Sequence, residues 1–87
     1  MAEEKVTLVN EIGLHARPAS KFIRETIKYK SDIEVIKGDK VYNAKSIMGV
    51  LSMGAVKGDT VTIRATGEDA EEAVKNIIQL IKYDLHE

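Results

Sequence analysis

The chain has no cysteine and no tryptophan, and proline and phenylalanine occur once each. Without cysteine there is no disulfide, no thiolate catalysis and no Cys-type zinc site. The two histidines, His15 and His86, lie far apart, so a His-based metal centre is not expected, nor is any cofactor. Charge of neither sign dominates: 13 Lys and Arg stand against 14 Asp and Glu. With one Phe and three Tyr there is no basic stripe interleaved with stacking aromatics, which argues against nucleic acid as a partner. No apolar run approaches the ~20 residues of a membrane span, so membrane insertion is not expected. Met1-Ala2-Glu3-Glu4 lacks the basic and apolar regions of a signal peptide, and the expected location is cytoplasmic. At 87 residues the chain is expected to be one domain over 1–87, with a small core.

What is present alternates between strand and helix patterns. Lys5-Val6-Thr7-Leu8-Val9 is β-branched and apolar, with Val6 and Leu8 on one face. Ala16, Ala19, Phe22, Ile23 and Ile27 then recur at helical spacing, leaving Lys21, Arg24, Glu25 and Lys28 for the outer face, in a helix expected to end near Tyr29 to Ser31. Ile33 to Ile36 and Val41 to Ala44 read as strands joined by the turn residues Gly38-Asp39, which makes a β-hairpin. Ser46 is placed to cap a short apolar helix over Ile47 to Met53, closed by Gly54. Thr60 to Ala65 alternates as a fourth strand. Asp69 followed by Glu72 resembles a capping box, and Ala70, Ala73, Val74, Ile77, Ile78, Ile81 and Leu85 mark a C-terminal amphipathic helix. The order is βαββαβα, an α+β two-layer arrangement.

Chemistry is concentrated in Gly13-Leu14-His15-Ala16-Arg17-Pro18-Ala19-Ser20. Pro18 suits a first helical turn, which puts the helix start near Ala16 to Pro18 with His15 just before it. The first amides, those of Ala16 and Arg17 among them, have no acceptor within the helix and form an anion site. The positive end of the helix dipole biases His15 towards its neutral form, which keeps a lone pair free to attack phosphorus. Arg17 adds a multi-donor cation able to hold phosphate oxygens. From the residues alone, the competing reading is equally simple: His15 as a cap or surface residue, Arg17 as a solvated arginine, Ser46 as a plain N-cap.

Read together, Gly-Leu-His-Ala-Arg-Pro-Ala and Lys45-Ser46-Ile47-Met48-Gly49 resemble the HPr family, the histidine-containing phosphocarriers of the bacterial sugar phosphotransferase system. The resemblance implies an open-faced β-sandwich, a four-stranded antiparallel sheet with its helices on one face. It implies a carrier rather than an enzyme, and a monomer. His15 would take a phosphoryl group through Nδ1 from enzyme I, originating in phosphoenolpyruvate, and pass it to sugar-specific IIA domains. Arg17 would stabilise the phosphate beside the amides of Ala16 and Arg17. Ser46 would be a regulatory site for HPr kinase/phosphorylase, as in low-GC Gram-positive bacteria and their relatives. Ser20, Arg24, Ile47, Met48 and Leu51 would dock partners. An alternative within the same resemblance is a purely regulatory protein, for instance a corepressor of catabolite control protein A; His15 argues against it, since such a protein has no use for a nucleophile. A small anion-binding domain without transfer chemistry is the third reading.

Overall fold

The computed structural model describes residues 1–9 and 16–84. Four strands, β1 (Ala2–Thr7), β2 (Asp32–Lys37), β3 (Lys40–Asn43) and β4 (Thr60–Thr66), form one sheet in the order β1-β4-β2-β3. All neighbours are antiparallel. Three helices, α1 (Ala16–Thr26), α2 (Ile47–Ser52) and α3 (Ala70–Gln79), lie against it, and α3 runs on into a wider π-helical segment over Leu80–Asp84. The architecture is an α+β open-faced sandwich.

Strand alternation explains why only one face is covered. Val6, Ile33, Val35, Val61, Ile63 and Ala65 are buried on the helix side. Their neighbours Glu34, Ile36, Thr62 and Arg64 occupy the open face and are half-buried, with Arg64 Nε and Nη2 donating to Glu34 Oε1 at 2.9 and 2.7 Å. The helices complete the core with Ala19 and Phe22 of α1, Val50 of α2, and Ala70, Ala73, Val74, Ile77 and Ile78 of α3, followed by Leu80 and Ile81. The β2–β3 loop is the two-residue turn Gly38-Asp39. Gly38 alone takes a positive φ, +63°, which is the type II′ pattern that matches strand twist.

Several local expectations are corrected. The first strand begins at Ala2, three residues before its β-branched run, because Glu3 and Glu4 are drawn into pairing with Arg64 and Ile63 on an edge where charge is tolerated, and it ends at Thr7, two residues before the run does. Leu8 is buried beyond the strand, its amide donating to Asp59 O and its carbonyl accepting from Gly58 N. Helix α1 stops at Thr26. Ile27, expected in the core, is 59% exposed, and Thr26 takes the buried place because its hydroxyl reaches both Ile23 O (3.0 Å) and Ala44 O (2.9 Å). Leu85 lies outside the described residues.

The capping box is also corrected. Asp69 stands at the N-cap of α3 but makes no side-chain cap bond. Its carboxylate instead accepts from Lys30 N (2.9 Å), Ser31 N (3.0 Å) and Ser31 Oγ (2.5 Å), latching the α1–β2 loop to the β4–α3 loop. The Ser31 hydroxyl, with the Lys30 and Ser31 amides, holds the Asp69 carboxyl below its ordinary value. A carboxyl depressed on folding contributes stability above its unfolded pKa and loses it as pH falls through the folded value. Asp69→Asn should therefore lower the melting temperature at pH 7, and the gap to the parent protein should close as pH falls below about 4. Thermal melts from pH 7 to pH 2 check this; a gap that stays constant would remove the charged latch.

Candidate docking and phosphate site

Position 15 lies outside the described residues; it immediately precedes α1, which begins at Ala16 as the sequence leads one to expect. Within the first turn Pro18 is buried while Arg17 is exposed. Pro18 thus anchors the turn and leaves the guanidinium free to face an anion beside the amides of Ala16 and Arg17, which have no acceptor in the helix. No residue of the first turn is acidic, so nothing there opposes an incoming phosphate.

Along α1, Arg17, Ser20 and Arg24 recur at three- and four-residue spacing and are all exposed. Ile27 continues the same file. As i+4 from Ile23 it reads as core, yet as i+3 from Arg24 it reads equally well as this outer face, which is where the structure puts it. Lys21 and Lys28 are exposed as well, whereas Glu25, the helix's acidic residue, is turned to the Tyr29 hydroxyl (2.6 Å) and Lys28 Nζ (3.1 Å). Partial burial raises the Glu25 carboxyl, and the bonds from Tyr29 and Lys28 outweigh it and bring it below its ordinary value. The exposed surface of α1 is accordingly basic.

Helix α2 packs against α1 and adds the apolar part. Met48 is 72% exposed and Ile47 37%, while Leu51 is partly buried against the core and Met53 is buried. Of the proposed docking residues, Ser20, Arg24, Ile47 and Met48 therefore present themselves to solvent and Leu51 does so in part. Ser46 caps α2, its Oγ accepting from Gly49 N at 3.1 Å.

The approach to α2 is tied to the far end of α1. Thr26 Oγ1 donates to Ala44 O, and Lys45 Nζ donates to Tyr29 O at 2.7 Å. Ser46 thus follows a segment tied to the C-terminal end of α1, and the amides of Ala16 and Arg17 are at the opposite end of that helix, which is about 15 Å long at 1.5 Å per residue. The basic and apolar surface lies between. Among the described residues no group of three His, Asp or Glu could hold a metal ion, and no helix is long and apolar enough to cross a membrane.

A family model described as PTS HPr component phosphorylation site matches residues 2–83. The phosphocarrier protein HPr of Mycoplasma capricolum is 42% identical over 79 residues, covering 91% of this chain and 89% of that protein. A crystal structure of an HPr from Thermoanaerobacter tengcongensis superposes with a TM-score of 0.92 at 44% identity, covering 100% of this chain and 98% of the other. The catabolite-repression protein Crh of Bacillus subtilis, solved as a dimer with a swapped domain, is similar at a TM-score of 0.78 and 37% identity, with both chains covered in full.

Proposed function

The chain belongs to the HPr family of phosphocarrier proteins, and from that premise we propose that His15 accepts a phosphoryl group from enzyme I and passes it to sugar-specific IIA domains. It is a carrier, a substrate of other proteins rather than a catalyst. A neutral imidazole nitrogen, Nδ1 by family resemblance, attacks phosphorus as the bond to the donor breaks. The product is a phosphoramidate, reactive enough to be handed on, as a serine ester would not be. Arg17 and the amides of Ala16 and Arg17 hold the phosphate oxygens. The reading places the carrier in the cytoplasm as a single-domain monomer, whereas Crh was solved as a dimer.

The observation that carries this reading is the start of α1 directly after His15, with Arg17 exposed in an acid-free first turn. Incubation with phosphoenolpyruvate and enzyme I should add one phosphate to the chain, and a IIA domain should remove it. A chain that gains no phosphate is not a carrier of this kind.

Ser46 is the proposed regulatory site, modified by HPr kinase/phosphorylase, and catabolite control protein A is a candidate reader of the modified form. A phosphate adds about −1.5 to −2 charges at pH 7. Next to residues tied to the far end of a helix about 15 Å long, against a Debye length of ~8 Å at physiological salt, it acts weakly on the His15 end directly. Its effect falls on docking, because the exposed Arg17 and Arg24 suit an acidic partner face that an anion would repel. Such repulsion is on the order of 1 kcal/mol at close range in water, roughly fivefold in affinity. Ser46→Asp should accordingly slow phosphorylation by enzyme I about fivefold, with part of the loss recovered at high salt. Ser46→Ala should transfer normally while costing about 1 kcal/mol from the lost cap. Equal rates for the parent protein and Ser46→Asp would leave Ser46 as a cap alone.

A further inference from the structure

Helix α2 has six residues and a single buried one, Val50. A helix this short does not hold itself in place, so its position is set by its ends. At its N-terminal end the segment Asn43 to Ser46 is fixed internally, with Lys45 N donating to Asn43 Oδ1 at 2.9 Å and Ser46 N to Asn43 O at 3.2 Å. Two side-chain bonds then join this segment to α1: Thr26 Oγ1 to Ala44 O at 2.9 Å, and Lys45 Nζ to Tyr29 O at 2.7 Å. The second joins a cation to a carbonyl just past a helix C-terminus, where such a carbonyl has no helical donor and the dipole favours positive charge. Lys45 is half-buried, which strengthens a charge-assisted bond relative to one in open water. Its acceptor is itself held firmly, since the Tyr29 hydroxyl donates to Glu25 Oε2 at 2.6 Å and accepts from Asn76 Nδ2 of α3 at 2.8 Å.

We propose that Lys45 is a positioning residue for partner docking: by holding the Tyr29 carbonyl in the turn that follows α1 it sets α2 beside that helix, so that Arg24 on one and Ile47 and Met48 on the other meet a partner as a single surface. The proposal rests on the docking reading above and extends it to a residue that touches neither the phosphate nor the partner. Thr26 is the neutral half of the same join.

The test uses Lys45→Met, which keeps the aliphatic stem and removes the ammonium, with Lys45→Arg as the conservative variant and Thr26→Val as a cut in the same join without a change of charge. With this chain as the varied substrate of enzyme I, Lys45→Met should raise KM about tenfold while kcat changes less than about twofold, and the rise should persist at high salt because geometry, not attraction, is lost. Lys45→Arg should recover most of it. Thr26→Val should raise KM in the same way, and the double variant should fall short of the product of the two effects. An unchanged KM, whatever happens to the melting temperature, overturns the proposal, and so does a rise that disappears at high salt, which would make Lys45 a direct charge partner of enzyme I. Should the parent protein accept no phosphate, the carrier reading fails separately. The positioning role is then read from the Gly49 and Val50 amide resonances of the free chain: shifted in Lys45→Met and restored in Lys45→Arg they uphold it, unshifted they overturn it.

Discussion

His15→Ala is expected to abolish phosphoryl acceptance while leaving the melting temperature almost unchanged. Alanine offers no lone pair to phosphorus, and among the described residues the start of α1 supplies no replacement: Arg17 is a cation, and the exposed Ser20 has no base beside it in the sequence. The stability half of the expectation follows from the core. Ala19, Phe22 and Thr26 form the buried stripe of α1, and Pro18 anchors its first turn, so the helix has its packing without position 15. Changes outside such features cost within about 0.5 kcal/mol. The measurement is phosphate incorporation from phosphoenolpyruvate and enzyme I beside a thermal melt of the same sample. Incorporation at the parent rate would place the acceptor elsewhere.

The largest expected loss of stability comes from Gly67→Ala. Gly67 holds φ at +149°, a conformation that side-chain-bearing residues adopt only under strain, and a Cβ there would lie 2.6 Å from Ser31 Oγ and 2.7 Å from Ser31 Cα. The second of these atoms belongs to the main chain, which cannot rotate away, and Ser31 is itself pinned by the Asp69 carboxylate. Strain and overpacking together should cost at least about 2 kcal/mol, or roughly 8–16 °C of melting temperature in a domain this small. Removing the Ser31 hydroxyl as well should not restore the loss, because the clash with the main chain remains. A drop of less than about 3 °C would mean that the two loops are not packed as described.

The parts of the fold that the sequence discloses are those where a local pattern and the tertiary demand coincide. The Gly38-Asp39 hairpin, the alternation of Val61, Ile63 and Ala65, and the stripe from Ala70 to Ile81 each bury the face their period marks. Where a distant partner decides, the pattern misleads. Asp69 and Glu72 carry the spacing of a capping box, but the partner of Asp69 is a serine 38 residues away. Thr26 falls outside the apolar file and is buried only because Ala44 O lies within reach of its hydroxyl, and Ile27 looks like core until α1 stops one residue short of it. Glu3 and Glu4 have no strand signature of their own and acquire one only from β4.

The candidate site divides along the same line. Arg17, Ser20, Arg24 and Met48 could be named from sequence because their file along α1 and the motif around Ser46 are local, and all four prove exposed. The join through Thr26, Ala44, Lys45 and Tyr29 could not, because each of its bonds crosses 16 or 18 residues of chain between side chain and carbonyl. Leu51, named with Met48, turns out to be shared between core and surface, as one side of so short a helix must be.

The most direct test of the account is the chemical identity of the phosphate the chain receives. After reaction with phosphoenolpyruvate and enzyme I at neutral pH, the intact mass should rise by one phosphate; brief acid treatment should remove it, alkali should leave it in place, and peptide mapping should put it on His15. An acid-stable phosphate, or one mapped to Ser46 or any residue other than His15, would contradict the account.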